Sequence, residues 1–192
     1  MTNASPVDRH WSALTTALDQ SRFAAPTVSR WGHQLAEVLR HGGRLLACGN
    51  GGSAAEAQHL TGELVGKFVH DRMPLAAIAL HADTSATTAI CNDYGEHEVF
   101  ARQVRAHGRQ GDVFVGLSTS GRSGNIIAAA KTASGCGMTT WALTGKAPNP
   151  LASLSDDAVA VPADHVATVQ EMHLAIVHAL CAVVDEALGV ST

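Results

Sequence analysis

Short, nearly continuous apolar runs recur along the chain at 44–48, 75–80, 113–117, 138–143 and 158–161. Runs of this length with no polar alternation predict strands buried on both faces, as in a parallel sheet. Between them, apolar residues return every three or four positions, which predicts helices over 54–67, 84–90, 96–107, 125–134 and 166–188. Strand and helix alternate, so the pattern predicts an α/β domain whose parallel sheet is covered by helices on both faces. Two amphipathic stretches, 7–22 and 27–41, precede the first strand, with Pro26 near the start of the second. They are expected to pack on a partner subunit. The segment from Lys146 to Pro150 reads as a turn region, and the chain shows no internal repeat or low-complexity tract.

Composition narrows this picture. The 192 residues are 46% hydrophobic and 16% charged, enough for one compact domain and too few for a second full one. A net charge of -4 without a Lys/Arg cluster gives no footprint for nucleic acid or anionic lipid. No stretch reads as the roughly 18 apolar residues that span a bilayer, so neither membrane insertion nor secretion is expected. Cys48, Cys91, Cys136 and Cys181 are widely spaced in apolar settings and are expected to be buried, reduced thiols of a cytosolic protein.

Candidate chemistry lies where strands break into small polar loops. The third strand runs into Ser118-Thr119-Ser120-Gly121-Arg122-Ser123-Gly124, and a helix follows at once. Such a junction aims backbone N–H groups, hydroxyls and the helix dipole at one point, a site suited to phosphate. It is neither a Walker loop nor a Gly-x-Gly-x-x-Gly fingerprint, so a small phosphorylated metabolite is expected rather than ATP or NAD. The first strand ends similarly in Gly49-Asn50-Gly51-Gly52-Ser53, with Ser53 expected to be the helix N-cap. Those glycines alone are equally consistent with a plain tight turn. In a parallel sheet, however, both loops fall at the carboxyl edge, where open α/β folds bind ligands.

His59 and Glu63 are four residues apart and project about 40° from one another on one helix. Gln170, His173 and His178 interrupt an otherwise apolar C-terminal helix. A single histidine on such a helix is most simply a satisfied core residue, but two helices carrying metal-type donors shift the weighing toward a site that suits zinc. The pattern is not His-Glu-x-x-His, and the sequence does not show that the two helices meet.

Taken together, Cys-Gly-Asn-Gly-Gly-Ser at 48–53, Gln-His-x-x-x-Glu-Leu at 58–64, Asn-Asp-Tyr at 92–94, Ser-Thr-Ser-Gly-x-Ser at 118–123, Leu-Thr-Gly-Lys at 143–146 and Gln-Glu-x-His-x-x-x-x-His at 170–178 resemble the SIS (sugar isomerase) family. The resemblance is closest to its bacterial phosphoheptose isomerases and runs from about residue 30 to 188. It implies a three-layer αβα sandwich, flavodoxin- or Rossmann-like, with a five-stranded parallel sheet: an N-terminal helical segment over 1–30, concerned with oligomer packing, and a SIS domain over 31–192. It further implies a cytoplasmic homotetramer with active sites between subunits, converting sedoheptulose 7-phosphate to D-glycero-D-manno-heptose 7-phosphate for nucleotide-activated heptose. By the same resemblance, Ser118, Thr119, Ser120 and Ser123 hold the phosphate, and Asn50, Gly51, Gly52, Ser53, Asn92, Asp93 and Gln170 complete the substrate site. Zinc is implied among His59, Glu63, Gln170 and His178, and Glu63 and His178 become the proton-transfer pair.

Some positions depart from the family pattern. A charged anchor often found just before Gln170 is replaced by Ala167-Thr168-Val169, Lys67 stands where Arg is frequent, and Arg122 stands where Asn is common. Arg122 reads either as an added phosphate contact or as a solvated helix-start residue. Two other readings stay open: a SIS module that binds a sugar phosphate or an initiator protein without catalysis, and an isomerase of a related phosphosugar.

Overall fold

The computed structural model describes residues 4–190; residues 1–3 and 191–192 of the two expected segments lie outside the described residues. Five strands, β1 (Leu45–Cys48), β2 (Ala77–Ala79), β3 (Val113–Ser118), β4 (Thr139–Thr144) and β5 (Asp157–Ala160), form one sheet in the order β2-β1-β3-β4-β5. Every neighbouring pair is parallel, with Leu45 opposite both Ala77 and Val113, and Ser118 opposite Thr144. The expected αβα sandwich is therefore observed.

The period of two along each strand divides the core between the faces of the sheet. Leu45, Ala47, Val113, Val115 and Leu117 join one cluster, together with residues of helices α1 (Pro6–Gln20), α2 (Ala25–Arg40), α3 (Gly52–Val65) and α8 (Val166–Ala187). Leu46, Cys48 and Phe114 join the other, with residues of α5 (Glu98–His107), α6 (Gly124–Gly135) and α7 (Pro150–Leu154). Helix α4 (Thr84–Tyr94) packs on α5 and contributes no buried residue.

At the amino end, Ser5 and Asp8 form a reciprocal capping box and Pro6 occupies the first turn of α1. Helix α2 runs unbroken through residue 30, and its Val28, Trp31 and Leu35 share one cluster with Met172, Ile176 and Val177 of α8. Trp31 stacks flat on Trp141 of β4, ring centroids 4.7 Å apart, and its indole N–H donates to Asp157 at 2.9 Å.

Four sequence expectations need correction. The 146–150 turn region runs into α7, which Asn149 caps by accepting from the Ala152 N–H. Strand β2 is shorter than 75–80, because the Leu75 N–H is drawn off to the Leu64 carbonyl at the end of α3. Cys48 and Cys181 are buried as expected, but Cys91, on a helix that buries no residue, is exposed, and Cys136, at the end of α6, is half-buried against the core. Finally, α8 is long and apolar enough to cross a membrane by length and hydropathy. Scattered polar residues hid this from a search for uninterrupted apolar sequence; here its apolar face is covered by α1, α2 and α3.

Candidate active site

Strand order 2-1-3-4-5 reverses direction between β1 and β3, and ligands of such folds bind at the carboxyl ends of those two strands. Both polar loops lie there. They are joined by a reciprocal amide pair: Asn50 Nδ2 donates to Asn125 Oδ1 at 2.9 Å, and Asn125 Nδ2 to Asn50 Oδ1 at 3.0 Å. In the hydroxyl loop, Ser118 Oγ and Ser123 Oγ are 3.1 Å apart, and Ser120 Oγ accepts from the Arg122 N–H at 3.2 Å. Ser123 is the N-cap of α6 yet makes no side-chain cap bond, so its hydroxyl is directed to Ser118. The loop's shape depends on Gly121, whose φ of +61° and close approach to the Asn149 side chain exclude a Cβ.

Helix α3 starts two residues earlier than expected. Gly51, not Ser53, is its N-cap, and Ser53 is buried in the first turn. The glycines permit this: a Cβ on Gly52 would lie 2.4 Å from Gln170 Nε2, so its absence lets α8 bring Gln170 onto the start of α3.

Along the same two helices, His59 Nε2 lies 3.0 Å from Glu63 Oε1 and 2.9 Å from His178 Nε2. One donor atom from each of these three residues lies within 4.8 Å of the others, a group that could hold a metal ion. One proton on His59 Nε2 can serve either neighbour but not both, and a carboxylate cannot donate. Three converging lone pairs are better satisfied by a cation than by hydrogen bonds among themselves. Two nitrogens on tetrahedral zinc, each about 2.0–2.1 Å from it, stand about 3.3 Å apart, so the donor set fits after an opening of a few tenths of an ångström. Phe68 lies beside His178, ring centroids 5.8 Å apart.

The two histidines of α8 have different fates. His173 is fully buried; its Nε2–H donates to the Thr144 carbonyl at 3.1 Å, while Nδ1 is 3.6 Å from Glu56 Oε2, too far for a hydrogen bond. It is a core histidine, as the simplest reading of a lone histidine has it, whereas His178 joins the α3 donors. Burial pushes the Cys181 thiol, one turn beyond His178, up to about 12, with the carboxylates of Glu63 and Asp185 adding to the rise.

Asn92 and Asp93 are exposed near the end of α4 and hydrogen-bond to each other at 2.8 Å. Among the described residues no hydrogen bond ties them to the other site residues. Lys67 and Ala167 are exposed; Thr168 and Val169 are buried where a charged anchor would otherwise stand. Arg122 is exposed, and only its backbone engages the loop. Sequence reasoning missed Asn125, which a polar residue at the start of a helix after a phosphate-type loop could have flagged. It also missed Arg72 and Asp185, whose pairing across 113 positions carries no local signal.

Comparison with known proteins fits this geometry. Residues 13–145 match the SIS domain, and the chain belongs to that family of sugar-isomerase folds. The match to individual relatives is narrower. A phosphoheptose isomerase of Streptomyces coelicolor is 60% identical over 188 residues, covering 98% of this chain and 81% of that protein. The structure of a phosphoheptose isomerase from Francisella tularensis has a TM-score of 0.90 at 36% identity, covering 97% of this chain and all of the other. That of the enzyme from Neisseria gonorrhoeae has a TM-score of 0.87 at 42% identity, covering 94% and 97%. Within the SIS family the chain belongs with the phosphoheptose isomerases.

Proposed function

We propose that this protein interconverts sedoheptulose 7-phosphate and D-glycero-D-manno-heptose 7-phosphate, the first step toward nucleotide-activated heptose. The observation that carries the reading is the convergence of His59, Glu63 and His178 along helices whose other ends meet the polar loops. His59 lies seven residues beyond Gly52, about 10 Å along α3, a span on the scale of an open seven-carbon chain anchored by its phosphate. The family relationship supports the same reaction. A non-catalytic sugar-phosphate module is not favoured, because Glu63 and His178 are both present.

Ser118, Thr119, Ser120 and Ser123 receive the phosphate, aided by the amino end of α6. Asn50, Gly51, Gly52, Ser53, Asn92, Asp93 and Gln170 surround the sugar. Ketose-to-aldose conversion removes a proton from one carbon, C1, and returns one to C2 through an enediol. Glu63 moves the carbon-bound proton, and His178 shuttles protons at the two oxygens. A positioned acid or base contributes about 10² to 10⁴ in rate. His59, Glu63 and His178 would hold zinc; Gln170, expected as a further ligand, instead packs on Gly52 at the other end of α3. Bound there, zinc would supply Lewis-acid polarisation of the carbonyl and charge stabilisation of the enediolate.

A cytoplasmic homotetramer with shared sites completes the proposal. Trp11 and Phe23 are 65% and 64% exposed, and an apolar groove of about 450 Å³ runs between α1, α2 and α8 beside Leu18, Val28, Met172 and Ile176. The exposure of Asn92 and Asp93 suits residues lent to a neighbouring subunit's site.

Incubation with sedoheptulose 7-phosphate, followed by NMR, tests the reaction. An aldose anomeric signal is expected. Saturable phosphosugar binding without conversion would replace the enzyme by a binding module, and conversion only of other phosphosugars would reassign the substrate.

A further inference from the structure

We propose that Arg72 is a positioning residue for proton transfer, clamping the backbone of Glu63 to helix α8 through Asp185 so that Glu63 and His178 meet at a fixed separation. The proposal rests on reading those two residues as the proton-transfer pair.

Arg72 lies outside every motif discussed above, yet four hydrogen bonds hold its guanidinium. Nη2 donates to the Glu63 carbonyl at 2.7 Å and Nη1 to the Leu64 carbonyl at 2.9 Å. Nη1 also reaches the Met73 carbonyl at 3.1 Å, and Nε donates to Asp185 Oδ1 at 2.7 Å. The side chains of Arg72 and Asp185 are only 3% and 8% exposed.

The carbonyls of a helix's last turn have no partner within the helix. On α3 that turn contains Glu63, so the fork that satisfies these carbonyls also grips the backbone of the reactive carboxylate. Asp185 is seven residues beyond His178, two turns along and about 20° around α8, so the two share a face. The clamp therefore joins the face that carries His178 to the peptide that carries Glu63. Gly52 and Gln170 set the approach of the same helices at the other end. A constellation of this kind tolerates errors of only about 0.5 Å.

A purely structural ion pair would be replaceable. Apolar residues of similar volume often substitute for a buried pair without loss of stability, whereas removal of one partner leaves an uncompensated charge. The experiment compares Arg72→Met, Arg72→Lys and the double variant Arg72→Met/Asp185→Leu in the full chain. It measures kcat and KM for sedoheptulose 7-phosphate, the melting temperature, and the affinity of metal-free protein for Zn²⁺ by chelator competition.

Arg72→Met is expected to lower kcat and Zn²⁺ affinity by about 10- to 100-fold, with KM changed by less than about threefold. Arg72→Lys should recover part of kcat, since it keeps the charge but not the fork. The double variant should regain the melting temperature without regaining kcat or Zn²⁺ affinity, and it carries the test if Arg72→Met does not fold. Wild-type kcat and Zn²⁺ affinity in a stable double variant would overturn the proposal. If the wild type fails to convert the sugar while Arg72→Met still weakens Zn²⁺ binding, the assigned reaction fails and the clamp stands.

Discussion

The hydroxyl loop after β3 and the His59–Glu63–His178 cluster are built in opposite ways. The loop is one contiguous stretch, Ser118 to Gly124, made of hydroxyls and backbone N–H groups at the end of a buried strand. In the proposed site several weak donors would share one anion, so each would contribute a fraction. The cluster takes three side chains from two helices, with Glu63 and His178 separated by 115 positions in sequence, and in the proposed mechanism each has a separate duty. Redundant recognition can be local, whereas non-redundant chemistry depends on tertiary placement.

Substitution of Glu63 by Gln or of His178 by Ala separates the two regions most sharply. Turnover is expected to fall by about 10² to 10⁴, while phosphosugar affinity, read by calorimetry, stays near wild type. Near-normal turnover in either variant would remove that residue from proton transfer. Loss of one hydroxyl in Ser120→Ala is expected to raise KM by about tenfold or more, the size of one hydrogen bond to a charged group, with kcat nearly unchanged. A fall in kcat instead would mean that the loop takes part in the chemistry.

Asn125→Ala breaks the amide pair that couples the two loops. Its expected cost is about 1 kcal/mol of stability, read by urea unfolding, because the two exposed amide–amide hydrogen bonds are lost together with the one that Asn125 Oδ1 accepts from the Ile126 N–H. The smallest effect concerns pH. Both ring nitrogens of His81, just past β2, lie buried without a partner, and desolvation by burial holds its pKa below the usual histidine value. The unfolded chain therefore takes up the proton first, and stability falls as pH drops below about 6.5. His81→Asn should flatten that part of the pH-stability curve measured by thermal melts; an unchanged curve would locate the acid sensitivity elsewhere. A separate dependence, at more acid pH, comes from Asp157. Burial alone would raise its pKa, but hydrogen bonds from Trp31, Arg30 and the Ala158 N–H, with the charge of Arg30, outweigh it and hold it low. Its contribution is present above the unfolded carboxylate pKa near 3.9 and is lost at more acid pH.

Five apolar runs with helical patterns between them were sufficient to read the parallel sandwich, because burial on both faces leaves strands such as Val113–Ser118 no alternation to hide in. Both loops were legible for a similar reason: glycine and hydroxyl residues at a strand-helix junction are a local signal. The helix start at Gly52 was missed because Ser53 is a good cap in isolation, and only the seat of Gln170 against Gly52 explains the earlier turn. His173 and His178 looked alike on paper. Depth in the fold separates them, one bonded to the Thr144 carbonyl in the core and the other facing α3.

By itself, then, the sequence determined the layers, the strand edges that face a ligand, and the residue types capable of isomerase chemistry, since periodicity and turn composition act within a few residues. Only the tertiary structure decided that β1 and β3 flank the switch point, that α3 and α8 bring His59, Glu63 and His178 within reach, and that Arg72 ties them through Asp185. Those contacts join residues far apart in the chain, and they exist because the sandwich must bury both faces of its sheet at once.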